Sequence, residues 1–185
     1  MKSKNIIQAT LLLTLFSVVS LSQTPVERSL DTCDRAVDKG CNRNIFIGDL
    51  APVPFKGTLH GNDTDLGFTD TTVTVQTVGT GKGTALGRFS FTQVVTVDVT
   101  NGTNAGVAHW VAANGDSISM TSTGSFEQTS TPGVGLVTEV YTITGGTGRF
   151  AGAQGSFIVE RLITEATGDT SGSFHGTITS PGSAR

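Results

Sequence analysis

The chain has 185 residues with 12 Lys and Arg against 15 Asp and Glu, a formal net charge of −3, and only 15% charged residues. That mild acidity argues against a nucleic-acid binder built on a basic domain. Abundant Gly (24 residues), together with runs of Thr and Val, favours strands and turns.

The first residues, MKSKN, carry two lysines and no acid, and the segment at 6–21 is apolar apart from small polar residues. This pattern, with Ser20-Leu21-Ser22 as a small-x-small cleavage site and an apolar core short for a membrane span, predicts a signal peptide over 1–22, with an uncleaved anchor as the alternative. Loss of Lys2 and Lys4 with it leaves ten basic against 15 acidic side chains, a net charge of −5. The mature chain is expected to be secreted or periplasmic, without stable membrane insertion. A polar extension over 23–52 follows, in which Cys33 and Cys41 most simply form one local disulfide; unpaired thiols and a redox or metal pair are the alternatives, the last lacking CxxC spacing and a nearby histidine.

From residue 53 to 181 the sequence reads as one β domain. Period-two alternation and turn punctuation recur about eight times, with strands expected at 54–60, 71–80, 88–99, 105–113, 116–126, 134–144, 155–165 and 172–180. The clearest is 88–99, where Phe89, Phe91, Gln93, Val95, Val97 and Val99 share one face. Asn114-Gly115 is a hairpin signal, and Asn101-Gly102, Thr131-Pro132-Gly133 and 166–169 mark further turns. Short connections throughout predict a meander, and eight meandering strands close most naturally into an up-and-down antiparallel barrel; a sandwich is the alternative. Such a barrel has an interior just large enough for side chains or one small ligand.

Two glycine clusters invite a phosphate-binding reading. The stretch ITGGTGRFAGAQG at 143–155 has no lysine and no following helix, and it breaks the GxGxxG spacing at Ala151. Gly79-Thr80-Gly81-Lys82-Gly83-Thr84 lacks the first P-loop glycine, at Gln76, and leads into a strand. Both read as β architecture, the first as a glycine-hinged corner with Phe150 plugging one barrel end.

At that corner the chain resembles known families. Gly146-Thr147-Gly148-Arg149-Phe150-Ala151-Gly152-Ala153-Gln154-Gly155 fits the GTGxFxxAxG pattern of dirigent proteins, and ITGGTGRFAGAQG followed by SFIVERLI is similar to the matching segment of allene oxide cyclases. About 55–181 also resembles exported bacterial proteins grouped with the allene oxide cyclase barrel. The resemblance implies an eight-stranded antiparallel barrel, often trimeric, and an apolar cavity in which cyclases ring-close an epoxy fatty acid or dirigent proteins steer coupling. The first strand, Val53-Pro54-Phe55-Lys56-Gly57-Thr58-Leu59-His60, departs from the cyclase pattern, so no catalytic residue carries over.

Candidate site residues come instead from polar side chains that share a face with apolar ones. Gln93 and His109 interrupt apolar faces; Glu139 and Tyr141 lie in register with Val137 and Ile143; Arg161 lies with Phe157, Val159 and Ile163. With those faces inward, Phe89, Phe91, Gln93, Phe157 and Arg161 would line a ligand site, and Glu139 and Arg161, on adjacent strands, would form an ion pair. Either that pair is structural, or Glu139 is a cavity acid with Tyr141 or His109 completing a proton-transfer site. Trp110 would then face outward. His60 and His175 also read as outward, and three scattered histidines specify no metal site; no cofactor is implied. Gly115-Asp116-Ser117-Ile118 resembles an esterase nucleophile block without its partners.

The functional expectation is therefore an exported barrel that binds a small apolar ligand or serves a structural role, with a cyclase or dirigent-type enzyme as the alternative. The expected partners are that ligand and further copies of the chain.

Overall fold

The computed structural model describes residues 51–179. The expected signal peptide, most of the extension and the Cys33–Cys41 pair lie outside the described residues.

Eight antiparallel strands run in chain order: β1 (Val53–Phe68), β2 (Thr72–Gly83), β3 (Gly87–Asp98), β4 (Thr103–Ala112), β5 (Ser117–Gln128), β6 (Val134–Gly146), β7 (Gly155–Thr164) and β8 (Asp169–Ile178). Each pairs with its neighbour, and β1 pairs with β8 to close the barrel. Following the register once around from Asp63 through Thr77, Gln93, Ala108, Met120, Ile143, Gly155 and Ile178 returns to Val53, ten residues away along β1. This stagger tilts the strands against the barrel axis. The closed meander leaves no sheet edge unpaired, which suits a chain of short turns and alternating Thr and Val.

Inside, the barrel divides into two halves. Toward the end where β1 begins, Phe55, Phe89, Phe91, Trp110, Phe157 and Phe174 fill the interior. Trp110 sits at the centre, stacked on Phe89 (centroids 4.6 Å apart, planes 7° apart) and in contact with Phe55, Phe157 and Phe174 at 5.1–6.2 Å. A 3₁₀ turn, η1 (Gly148–Phe150), caps this end and buries Phe150. Gly148 there has φ +56°, and a side chain on it would collide with the Asp116 carboxylate. Arg149 pairs with Asp116 at 3.6 Å and donates from Nη2 to the Leu86 carbonyl at 3.2 Å, fastening the corner to the β2–β3 turn.

So many rings fit because the opposing inward positions are glycine. On β2, Gly79, Gly81 and Gly83 alternate inward, and a Cβ on them would overlap Phe91, Phe89 and Phe174 respectively. The GTGKG cluster is thus one wall of the aromatic core.

One inward assignment is corrected. Asn104, Ala108, Trp110 and Ala112 of β4 face inward, which puts His109 on the exposed wall and Trp110 in the core, only 1% exposed. The bulk on the inward face is concentrated in one large ring flanked by small residues, while the outward face carries Val107 and Val111; average hydrophobicity therefore points the wrong way.

Candidate functional site

The other half of the interior is polar. Glu139 on β6, fully buried, accepts from Gln93 Nε2 at 2.6 Å on Oε1, and from Tyr141 Oη at 3.1 Å and Arg161 Nε at 3.4 Å on Oε2. Arg161 on β7 then donates from Nη1 to Asp63 Oδ2 at 2.8 Å and to Thr170 Oγ1 at 3.0 Å. Thr170 passes its own hydroxyl hydrogen to the Leu162 carbonyl at 2.9 Å. Five strands, β1, β3, β6, β7 and β8, contribute to one connected network.

The strand periodicity places these groups. Glu139 and Tyr141 are two apart on β6 and so point the same way, while the register sets Val137 opposite Arg161 and Glu139 opposite Val159. Arg161 therefore reaches Glu139 diagonally. Gly124 lies opposite Glu139 on β5, and a Cβ there would press on the Glu139 side chain, so the glycine makes room for the buried carboxylate.

Two carboxylates share a single guanidinium. Burial works against the Arg161 charge, yet Glu139 and Asp63 outweigh it and hold the side chain's pKa above its ordinary value. Tyr141 is pushed well above the usual phenol range, first by burial and then by the Glu139 charge, so it stays a neutral donor. At neutral pH Arg161 and Tyr141 therefore both stay donors to the carboxylate oxygens they face.

Of the expected site residues, the structure brings Gln93, Glu139, Tyr141 and Arg161 together as one cluster, with Phe157 stacked on Tyr141 at 5.0 Å. Phe89 and Phe91 belong to the aromatic half. His109 stands outside the wall, bonded through Nδ1 to Ser119 Oγ at 3.2 Å, and takes no part in the cluster. His60 and His175 are exposed as expected. The residue missed is Asp63, which lies within β1, a strand that runs to Phe68 rather than ending at 60. Its signal is the inward alternation of Phe55 and Leu59 carried two steps further.

Around the cluster, Asp63 Oδ1, Thr77 Oγ1, Asn104 Oδ1 and Ser122 Oγ are buried polar atoms with no protein partner. Among the described residues no group of three or more His, Cys, Asp or Glu side chains comes together as a metal-binding set. Compared with known proteins, the chain matches no family model and no curated protein sequence.

Proposed function

We propose that this chain is an exported, non-catalytic β-barrel that works through its outer wall, as a structural or binding component. The observation that carries the reading is how the interior is occupied: stacked rings pack one half, and a cross-linked ionic network spans the other. An apolar ligand of the kind allene oxide cyclases hold would have to displace Trp110 or its neighbours. Export is supported by the basic, then apolar, N-terminal sequence.

The outer wall also offers a means of assembly. Leu136 faces Leu162 and Val140 faces Ile158 across β6 and β7, two apolar pairs separated by the Thr138–Glu160 pair on a wall otherwise rich in Thr and Ser. Leu162 and Val140 are 49% and 44% exposed. Copies of the chain associating over this patch would bury it, and three copies would fit the resemblance to trimeric barrels.

Trp110, the chain's single tryptophan, provides the test. Titration with an unsaturated or epoxy fatty acid is expected to leave its emission unchanged. A saturable one-to-one response would show that the interior admits a ligand and would overturn the reading.

One observation favours a second reading, a cyclase or dirigent-type enzyme. Partnerless buried oxygens of Asp63, Thr77, Asn104 and Ser122 surround Glu139, a setting in which a carboxylate can exchange a proton with a bound molecule. Ring-closed product formed from an epoxy fatty acid above the buffer rate, and lost in Glu139→Gln, would establish it.

A further inference from the structure

The described residues include five Lys and Arg side chains, and their placement is uneven. Arg149 and Arg161 are paired with carboxylates. Lys56, Lys82 and Arg88 make no ion pair among the described residues, and all three project from the outer wall formed by β1, β2 and β3. The register sets Lys82 directly opposite Arg88 and Lys56 directly opposite His175, with His60 opposite Thr80 one step further along.

Like charges directly opposite one another on a sheet are destabilising. A barrel needing only solubility would interleave acids here. Instead most of the outer acids, Asp65, Asp70, Glu127, Glu165 and Asp169 exposed and Asp98 half-buried, gather at the other end, beside the β1–β2, β3–β4, β5–β6 and β7–β8 turns; Glu160 faces Ser173 at the strip's edge, and Asp116 at this end is paired with Arg149. Among the described residues an acidic barrel thus keeps a cationic strip, and the resulting field draws anions to that end.

The strip has shape as well as charge. Two shallow grooves, of about 570 and 670 Å³, meet at Thr58 and Lys82. Hydroxyls of Thr58, Thr80, Thr84, Ser90 and Ser173 line them between the cations. From β8 to β3 the strip crosses four strands, roughly 15 Å at the usual strand spacing.

We infer that this strip docks an acidic polysaccharide, carboxylates or sulfates on the cations and sugar hydroxyls on the threonines and serines; the inference rests on the outer-wall reading above and names its partner. The lining disfavours other polyanions. Its rings, Phe89 and Phe174, are buried and offer bases no stacking platform. Its aliphatic side chains, Val111, Ala112 and Ala113, are too short to enter a bilayer.

Calorimetry on the mature chain tests this with heparin and polygalacturonate as acidic polysaccharides, and with neutral dextran, a single-stranded oligonucleotide and anionic phospholipid vesicles as the other arms. Both acidic polysaccharides are expected to bind, more weakly as salt rises. Lys82→Glu should weaken binding about tenfold. Because the same change turns a like-charge pair into an opposite-charge pair, it should also raise the melting temperature, which separates lost binding from lost folding. Lys56→Glu, away from that pair, should weaken binding as well. No polysaccharide binding, equal binding by Lys82→Glu, or binding confined to the oligonucleotide or the vesicles overturns the inference. Failure with Trp110 still blind to fatty acid leaves the outer-wall reading in need of another partner; a fatty-acid response of Trp110 defeats that reading whatever the polysaccharides do.

Discussion

Arg161 Nη1 lies 2.8 Å from Asp63 Oδ2, joining side chains 98 positions apart in the sequence across the β7–β8–β1 wall. The same guanidinium holds Glu139, so it is the only cation in the buried network. Arg161→Met would leave two carboxylates facing each other without a counter-charge, and a buried pair broken in this way costs about 3–5 kcal/mol. Adding Asp63→Asn and Glu139→Gln to Arg161→Met is expected to recover much of that loss, since the orphaned charges go with the partner. Urea unfolding of the single and triple variants measures both. A small loss in Arg161→Met would mean the network is solvated and the half-barrel open.

The ring-on-glycine packing makes a sharper test of the aromatic half. Gly81→Ala places a methyl group into Phe89 and the Thr58 carbonyl, and overpacking of this kind costs about 1–3 kcal/mol. Gly67→Ala, where nothing stands within 4 Å, is expected to be neutral or to stabilise by about 0.4–1 kcal/mol through the unfolded chain. Both variants gain the same unfolded-state benefit, so the difference between their melting curves isolates the clash. Equal stability would show that the rings move aside freely.

The eight strands are legible in the sequence because Thr and Val alternate between Gly, Asn and Pro turns, and because every connection is short. The inward faces of β3, β6 and β7 are legible for a related reason: Phe89 and Phe91, Tyr141, and Phe157 and Val159 make the buried side obvious. On β4 the rule fails, since Trp110 needs Ala108 and Ala112 beside it and the valines are left outside. On β1 a Gly-Asn-Asp run imitates a turn and conceals Asp63. The cationic strip is invisible for a different reason. Lys56, Lys82, Arg88 and His175 come from four strands, and only the closure of β1 on β8 brings the last of them alongside the first.

The apolar quartet on β6 and β7 predicts a change of mass in solution. Light scattering after size exclusion should find the purified chain as an assembly, and Leu162→Glu should return it to a single copy by replacing an apolar contact with a second carboxylate beside Glu160. The residue is half exposed in the single chain, so its replacement should alter the stability of the isolated barrel by no more than about 0.5 kcal/mol. A monomeric parent protein, or a variant that assembles as before, would remove this patch from any association.

Tyr141 is the only tyrosine, so tyrosinate absorbance reports on it alone. Its folded pKa is raised, first by burial and then by Glu139, above the ordinary value of about 10. The neutral phenol is thus favoured by folding. Its contribution to stability is whole below about pH 10, where neither folded nor unfolded chain ionises it. Above that, only the unfolded state loses the proton, and stability falls by about 1.4 kcal/mol per pH unit until the folded pKa is reached. Tyrosinate is therefore expected to appear together with loss of the β-sheet circular dichroism signal, not as a separate step near pH 10. Tyr141→Phe should cost about 0.5–1.5 kcal/mol at neutral pH through the lost hydrogen bond to Glu139, and should flatten the alkaline slope. Ionisation near pH 10 with the sheet signal intact would mean that water reaches the phenol, and with it the carboxylate it holds.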